Sequence, residues 1–424
     1  MQRVFVLDKN QEPLMPCEPA RARELLNKGR AAVFRQYPFT IILKDREGGD
    51  TQPIQAKVDP GSQTTGMVLV GDFKRGKRVI WASNLTHRGQ AIRDNLLSRR
   101  QLRRGRRGRQ TRYRKPRFLN RTRLKGWLAP SLKSRVDNIV TWLNRLDKFA
   151  PLTHLSMELV RFDTQLMQNA EISGIEYQHG TLQGSEVREY ILEKWGRTCA
   201  YCGAKNVPFE VEHIVPRSRG GSDRVSNLTL ACVDCNGEKD NQTADEYGFP
   251  DIQALAKKPL KDAAAVNTTR WALFGELKAS GLPLETDTGG RTKFNRTQQG
   301  YAKDHWIDAA CVGKSGEDVF IPPTLKPLLI RATGRQSRQM CRVDKYGFPR
   351  TKAKQSRLVK GFQTGDMVRA VVPKGKNQGI YVGRVAVRKS GSFNITTPSG
   401  TIQGISYKYC LPIHRLDGYS YGNG

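Results

Sequence analysis

Acidic residues are scarce in this sequence of 424 residues: 39 Asp and Glu stand against 72 Lys and Arg, which gives a formal net charge of +33. A chain with this imbalance repels itself unless a polyanion neutralises part of its charge. Nucleic acid is the first candidate for that polyanion.

Long apolar stretches are missing as well. No run of roughly eighteen apolar residues is present to span a bilayer, and the opening MQRVFVLDKN lacks the apolar segment of a signal peptide. We therefore expect a soluble cytoplasmic protein with no membrane partner. The length predicts several modules, because single hydrophobic cores stop growing near roughly 250 to 300 residues.

Cysteine is also sparse. The eight cysteines are too few for a disulfide framework in a chain of this length, and four of them form two CxxC pairs, CAYC and CVDC. Four thiolates in two such knuckles favour one tetrahedral Zn²⁺, and a closed shell of four sulfurs leaves no open position for chemistry. The sequence thus predicts a structural zinc site. Its ligands are Cys199, Cys202, Cys232 and Cys235.

The excess positive charge is concentrated in two segments. Residues 88–125 carry 16 basic side chains and one acid, and residues 331–424 carry 18 basic side chains and three acids. A charge that served only solubility would be spread along the chain, so both segments indicate nucleic-acid-binding surfaces. Apolar and aromatic residues lie between the arginines of the first segment, which argues against a disordered arm. Its first half is compatible with a helix that Gly105 and Gly108 weaken.

Apolar periodicity predicts a mixed α/β protein. A short strand, the loop QEPLMPCEP, a helix from about Ala20 to Lys28 and the strand FTIIL occupy residues 1–44. The next segments, IQAKVDPGSQTTGMVLVGD and RVIWASNL, predict a three-stranded meander. Helices are predicted at SLKSRVDNIVTWLNRLDKF, EVREYILEKWG and DHWIDAACV, and a buried strand at LSMELV. Period-two segments in the tail predict a small barrel or sandwich.

The segment FEVEHIVPRSRGGSDRVSNLTLACVDCN, which ends one residue past the second knuckle, holds a carboxylate beside a histidine and two later asparagines. Such a set can place one histidine and one divalent cation on a phosphodiester. We expect His213 to deprotonate the attacking water, Glu212 and Asn236 to bind Mg²⁺, and Asn227 to hold the histidine loop in place. The string resembles the HNH motif of ββα-metal endonucleases, although many relatives have Asp at the position of Glu212.

A second acidic set is spread over three segments: Asp59 in KVDPGSQTTG, Glu158 in LSMELV, and His305 and Asp308 in DHWIDAAC. Alone, each is ambiguous, because an Asp-Pro-Gly is usually a turn and a single strand Glu often points to solvent. Together they fit a two-metal mechanism, since two Mg²⁺ ions about 4 Å apart need several convergent ligands. Their order resembles a RuvC-type, RNase H-like nuclease broken into three parts.

The breaks extend the resemblance. An arginine-rich helix between the first two RuvC parts and an HNH module before the third is the layout of RNA-guided CRISPR effectors with both nuclease types. EPLMPCEP contains the Pro-Leu-Met-Pro signature of their shorter, transposon-encoded relatives. The chain therefore resembles the IscB family over nearly its whole length.

This resemblance implies a multidomain α/β protein whose RuvC core is split by a bridge helix and an HNH insertion. The implied domains are a PLMP domain (1–52), RuvC part I (53–87), the bridge helix (88–127), RuvC part II (128–183), the HNH nuclease with its zinc knuckles (184–255), RuvC part III (256–330) and a basic β-rich domain that contacts target DNA and guide RNA (331–424).

The resemblance also implies an activity: Mg²⁺-dependent, RNA-guided cleavage of double-stranded DNA beside a target-adjacent motif. HNH would cut the strand paired to the guide, and RuvC, with two Mg²⁺ ions, the displaced strand. The protein would act as one chain bound to an omega guide RNA in the prokaryotic cytoplasm, on the nucleoid. Bridge-helix arginines would hold the guide phosphates. They are Arg93, Arg99, Arg100, Arg103, Arg104, Arg106, Arg107, Arg109, Arg112 and Arg114.

Two other functions remain open on the sequence. A guide-free HNH endonuclease of the homing or restriction type would explain residues 185–245 but not the arginine segment or the tail. A catalytically inactive, zinc-bearing RNA-binding protein would bind a matched target without breaking it. RNA of defined sequence that copurifies with the protein argues against the first, and strand breaks argue against the second.

Overall fold

A computed structural model describes residues 2–108, 126–159, 188, 191–192, 194–223, 225–257, 263–334, 341, 344–346, 348–352 and 356–424. The helices are α1 (Pro19–Asn27), α2 (Gly89–Gly108), α3 (Pro130–Asp147), α4 (Val233–Lys239), α5 (Asp251–Lys257), α6 (Ala263–Lys278), α7 (Gly289–Gln298) and α8 (His305–Ala310). The strands are β1 (Val4–Leu7), β2 (Pro13–Cys17), β3 (Ala31–Arg35), β4 (Thr40–Leu43), β5 (Ile54–Asp59), β6 (Thr64–Phe73), β7 (Gly76–Thr86), β8 (Leu152–Glu158), β9 (Phe209–His213), β10 (Leu228–Cys232), β11 (Leu284–Asp287), β12 (Leu328–Ala332), β13 (Met367–Val372), β14 (Gly379–Ala386), β15 (Ser392–Thr397), β16 (Gly400–Ser406), β17 (Cys410–His414) and β18 (Tyr419–Asn423).

The N-terminal module is a four-stranded sheet in the order β2-β1-β4-β3, with α1 between β2 and β3. The expected loop at PLMPC is wrong, because these residues form β2 and pair antiparallel with β1. Leu14 and Pro16 alternate inward along β2, so the side chains fit a strand even though two of the five residues are proline. Strand β3 was not predicted, because its sequence AAVFR does not alternate between apolar and polar residues. In the structure its middle residues Val33 and Phe34 are both exposed.

The central element is a seven-stranded sheet in the order β11-β8-β5-β6-β7-β12-β18. The predicted meander is confirmed as the antiparallel strands β5, β6 and β7. Strand β8, also predicted, continues the sheet parallel to β5, and β11 lies parallel to β8. The parallel register pairs Val58 with Met157, so Asp59 and Glu158 follow at the same edge of the sheet.

Helices cover both faces of this sheet. The predicted helix α3 packs its apolar side under β5 and β6, where Trp142 stacks on Trp81 at a centroid distance of 6.2 Å. On the other face, Trp306 and Ala309 of α8 join Val68 and Val70 of β6 in a second core. Because side chains alternate along a strand, β5 directs Ala56 and Val58 to the α3 side and directs Lys57 and Asp59 to the α8 side.

Helix α8 approaches the sheet closely at Gly66. A Cβ added there would lie 1.8 Å from the carbonyl oxygen of His305, a distance that no side chain tolerates. Glycine at this position of β6 thus allows the first residue of α8 to rest directly on the strand backbone.

Two smaller modules are built on the other two sheets. Strands β9 and β10 are an antiparallel pair followed by α4, with their own apolar core around Leu230 and Ile214. The basic tail forms one five-stranded sheet, β16-β15-β14-β13-β17, rather than the two sheets of a sandwich. The expected domain boundary at residue 331 is not a boundary of the sheets, because β12 runs to Ala332 and β18 returns to pair with it.

Two predicted segments cannot be compared in full. The second half of the arginine-rich segment, residues 109–125, lies outside the described residues, and so do five of the eleven residues of EVREYILEKWG. Within the described part of the chain, no helix combines the length and the apolar character needed to cross a membrane.

Candidate active sites

The loop that follows His213 is held by one asparagine. Asn227 donates through Nδ2 to the carbonyls of Val215 (3.0 Å) and Ser222 (2.9 Å), and its Oδ1 accepts from the backbone N–H of Val215 (3.0 Å). Gly221 packs into this loop so tightly that a Cβ would lie 1.7 Å from the Val215 carbonyl. The loop between β9 and β10 is thereby closed, and His213 stands at its start.

The His213 side chain has a carboxylate partner that the sequence had not indicated. Its Nε2 lies 2.8 Å from Asp223 Oδ1, and Arg217 Nε donates to the same oxygen at 2.7 Å. Hydrogen bonds from His213 and Arg217 lower the pKa of Asp223 below its usual value, so this carboxylate stays charged near neutral pH. Asp223 can therefore orient the imidazole.

The two residues expected to bind a cation in this module have separate partners. Glu212 is buried, and its oxygens accept from the Tyr201 hydroxyl (2.6 Å) and pair with Lys239 Nζ (2.6 Å). Asn236 donates instead to Glu210 at 2.5 Å. Glu210 is an exposed residue of β9, two positions before Glu212. A metal role for Glu212 and Asn236 thus remains a prediction. It requires each side chain to release its present partner and bind the metal instead. The sequence had suggested neither Lys239 nor Glu210.

The four knuckle cysteines form a compact cluster. Their four sulfurs all lie within 4.8 Å of one another, and among the residues that the structure describes no other group of three or more His, Cys, Asp or Glu ligand atoms is gathered as a metal site. Cys202 Sγ and Cys232 Sγ are 3.7 Å apart, close to the edge of about 3.8 Å that a tetrahedron with Zn–S bonds of about 2.3 Å requires. Burial raises the pKa of Cys199, but N–H donors to its sulfur outweigh burial and lower the pKa to about 7. The cluster fits a zinc ion.

The second acidic set lies at one edge of the central sheet. Asp59 and Glu158 end the neighbouring strands β5 and β8, and both are buried. Helix α8 carries His305 and Asp308 against this edge, and His305 Nδ1 lies 3.4 Å from Asp59 Oδ2. The three chain segments that were ambiguous in sequence therefore meet.

Two arginines that the sequence had not indicated accompany these acids. Arg270 of α6 donates to Glu158 Oε1 at 3.1 Å and to the carbonyl of Pro60 at 3.3 Å. Arg296 of α7 pairs with Asp308 Oδ1 at 2.7 Å. Arg270 is distant in sequence from Glu158, and Arg296 lies on the helix before that of Asp308, so no single motif signals either contact. Asp287 of β11 is the backbone pairing partner of Glu158.

Burial and mutual repulsion disturb the titration of these acids. Burial, followed by the charge of Asp59, raises the pKa of Glu158 to about 8. The same two causes raise the pKa of Asp308 to about 6. The hydrogen bond with Asp59 raises the pKa of His305. A divalent cation bound between these carboxylates would favour their charged forms and so lower these pKa values.

The arginine-rich helix α2 projects basic side chains into solvent. Its leucines at 96, 97 and 102 are exposed together with them, at 38%, 51% and 57%. The exposed predicted arginines are Arg93, Arg99, Arg100, Arg103, Arg104 and Arg107. The side chain of Arg106 and the residues Arg109, Arg112 and Arg114 lie outside the described part.

Comparison with known proteins identifies two of these modules. Residues 4–180 match the RRXRR protein family, and residues 199–242 match the HNH endonuclease family. No curated protein matches the chain. The chain thus carries an HNH endonuclease domain, which contains the cysteine cluster, β9, β10 and α4.

Solved structures add little. Three crystal structures of Streptococcus thermophilus Cas9, in complex with the AGAA, AGGA and GGAA PAMs, are similar at 13 to 14% identity and a TM-score of 0.20. Each match covers 61% of this chain and 32% of the Cas9 chain, so this chain spans about a third of their length. Similarity at this level carries no inference about activity.

Replacing one knuckle cysteine tests the zinc cluster. After dialysis against a chelator, Cys202→Ser should lower the zinc content from about one equivalent to near zero, because a tetrahedral site loses a thiolate. The same variant should lower the unfolding temperature. Elemental analysis and calorimetry measure both. Cys17→Ser, which changes a cysteine of β2 outside the cluster, should retain the metal. Full zinc in Cys202→Ser would contradict the assignment.

The raised pKa of Glu158 predicts a pH dependence of stability in metal-free protein. The folded state holds the proton more tightly than the unfolded state, so stability should fall as pH rises from 4.5 through about 8. Glu158→Gln keeps a neutral side chain of the same shape and should flatten this decline. Thermal unfolding in chelator across that range measures it, with the exposed Glu276→Gln on α6 as control. Identical declines in wild type and Glu158→Gln would rule out this explanation.

Proposed function

We propose that this chain, with its HNH endonuclease domain and RRXRR segment, is an RNA-guided, IscB-type DNA endonuclease that cuts the two strands of a target at separate sites. The observation that carries the proposal is the gathering of Asp59, Glu158 and Asp308 at one edge of the central sheet, outside the HNH domain. A guide-free HNH nuclease has no use for this second set.

In the HNH site, His213 takes the proton of the attacking water. Asp223 orients the imidazole at 2.8 Å, and Asn227 maintains the loop between them. When bound, by Glu212 and Asn236 in this site and by Asp59, Glu158, His305 and Asp308 in the other, Mg²⁺ supplies Lewis-acid stabilisation of the charge on the scissile phosphate.

The second site is a RuvC-type centre in this proposal. Its support is the strand arrangement, a three-stranded antiparallel meander continued by two parallel strands, as in RNase H-like sheets. His305 is the one exposed residue of this set. Its side chain is 49% exposed while Asp59 holds its Nδ1, so it can meet both water and substrate.

A guide RNA is the partner that best fits helix α2. Its described arginine side chains are exposed along the helix, and Asp94 is the one acid in its sequence, so a phosphate backbone would neutralise this surface. The exposed leucines on the same helix add apolar contact for riboses and bases. In this proposal the guide reads the target by base pairing, while the protein holds backbones and cuts.

A second candidate function is a guide-free HNH endonuclease. The HNH domain supports it, because the domain has its own apolar core and its own cysteine cluster and so could work independently of the rest. The two candidates differ in their RNA: the guided nuclease copurifies with one RNA of defined sequence, and the guide-free enzyme does not.

Strand-specific nicking tests the two-site proposal. On a target matched to the guide, Asp59→Ala should cut only the guide-paired strand, and His213→Ala only the displaced strand, because each change removes one site. Gels with each strand labelled separately report the products. Asp72→Ala, an exposed acid on β6, should cut both strands, and the Asp59→Ala/His213→Ala double variant neither. Loss of both cuts in either single variant would show that one site serves both strands.

Charge reversal on α2 tests the guide-RNA interface. Replacing Arg103, Arg104 and Arg107 by Glu should remove copurified RNA and reduce the log–log salt slope by roughly 0.7 to 0.9 per lost phosphate contact. RNA sequencing of the purified protein and binding titrations at several salt concentrations measure these effects.

The matched control makes the same change of charge elsewhere. Lys9, Lys44 and Arg75 are exposed and lie outside α2, so their replacement by Glu should leave RNA retention intact. Equal losses in the two triple variants would assign the effect to net charge and reject the interface.

A further inference from the structure

The C-terminal end of α8 is held by side chains from two other elements. Lys57 of β5 donates through Nζ to the carbonyl of Ala310 at 3.2 Å and to that of Val312 at 2.8 Å. A helix leaves its last four carbonyls without backbone partners, and α8 has only six residues. Lys57 thus satisfies groups that the helix cannot satisfy itself.

Asn295 of α7 bonds to the intervening carbonyls. Its Nδ2 donates to Cys311 at 2.9 Å and to Gly313 at 2.8 Å. Four successive carbonyls, 310 to 313, are therefore bonded alternately by Lys57 and Asn295. We call these two side chains and the four carbonyls the α8 clamp.

The burial of Lys57 needs a reason. Its side chain is completely buried, and an ammonium without compensation inside a protein is strongly unfavourable. Glu285 is near enough to interact with its charge. The Glu285 carboxylate, however, accepts from Gln55 (3.2 Å), Ser156 (3.0 Å) and Ser315, whereas Lys57 donates to the carbonyls after α8. A neutral apolar residue would fill the same space, but it could not donate to those carbonyls. Lys57 is therefore explained by the hydrogen bonds that its long side chain makes.

Both clamp residues are placed beside catalytic side chains. Lys57 precedes Asp59 by two residues and lies on the same face of β5. Asn295 directly precedes Arg296, which pairs with Asp308 at 2.7 Å. At its other end, α8 rests on Gly66 of β6. The strand with one acid is thus tied to the helix with another.

We propose that the α8 clamp sets the position of α8 against β5, so that His305 and Asp308 face Asp59 at the distance the displaced-strand cut requires. This inference rests on the proposed function. Lys57 and Asn295 act as positioning residues, since their bonds go to the backbone of α8 and reach no substrate.

Lys57→Met removes the donor and keeps the length of the side chain. In the full chain with its guide, the displaced-strand cut should slow on the order of tenfold to a hundredfold, because small misplacements of reacting groups have effects of that size. It should also need more Mg²⁺ to reach half its maximal rate. The guide-paired cut, made by the HNH domain of the same molecule, should keep its rate and its Mg²⁺ dependence. Lys77→Met is the matched control, since Lys77 donates to the carbonyl of Ser315, outside the clamp, at 3.5 Å.

Hydrogen exchange supplies a readout that does not depend on cleavage. The backbone amides of residues 305–312 should exchange faster in Lys57→Met than in wild type, while those of β9 and β10 should not change. Asn295→Leu provides a second variant. Within the described residues its Oδ1 is buried without a hydrogen-bond partner. Leucine removes this unfavourable group, and it also removes the donor to the carbonyls of Cys311 and Gly313.

The outcomes separate the clamp from the proposed function. Equal slowing of both cuts, or normal displaced-strand cutting with unchanged exchange, would reject the clamp. If wild type makes no displaced-strand cut, the two-site function fails, and exchange in the two variants alone decides whether α8 is clamped.

Discussion

Buried negative charge at one edge of the central sheet is the constraint on which the rest of the structure depends. Asp59, Glu158 and Asp308 crowd together where burial disfavours their ionisation. Three helices each place a basic side chain against one of these acids: Arg270 from α6, Arg296 from α7 and His305 from α8. A protein selected only for stability would replace such a cluster by apolar residues, so its presence indicates chemistry.

The HNH domain solves a similar problem on a smaller scale. Glu212 is buried against Lys239, which is itself fully buried and also donates to the backbone of His213 at 3.0 Å. One lysine therefore connects α4 to both neighbouring residues of the motif. In each site a lysine bonds to the backbone beside the proposed catalytic residues: Lys239 to the carbonyl of His213, and Lys57 to carbonyls at the end of α8.

Sequence patterns anticipated elements whose signal is local. Each strand of the meander, α3, β8, α8 and each cysteine knuckle carries its periodicity or spacing within about twenty residues, and each is found in the fold. The contacts of Arg270, Lys57 and Lys239 join elements far apart in the chain, and that of Arg296 joins two consecutive helices across a turn that no pattern specifies. Strand β2 was missed because two prolines resemble a loop, although an edge strand accepts proline where no ladder donor is needed. The return of β18 to the core likewise has no local signal.

That return has a consequence for the basic tail. Strands β12 and β18 are neighbours in the central sheet, so the chain departs from and rejoins the core at adjacent positions. The five-stranded sheet β13–β17 lies between them in the chain, so it is connected to the central sheet at two adjacent strands. Two adjacent chain connections allow the five-stranded sheet far fewer orientations than a single connection would allow. A ligand bound to the five-stranded sheet would therefore keep a nearly constant orientation relative to the central sheet.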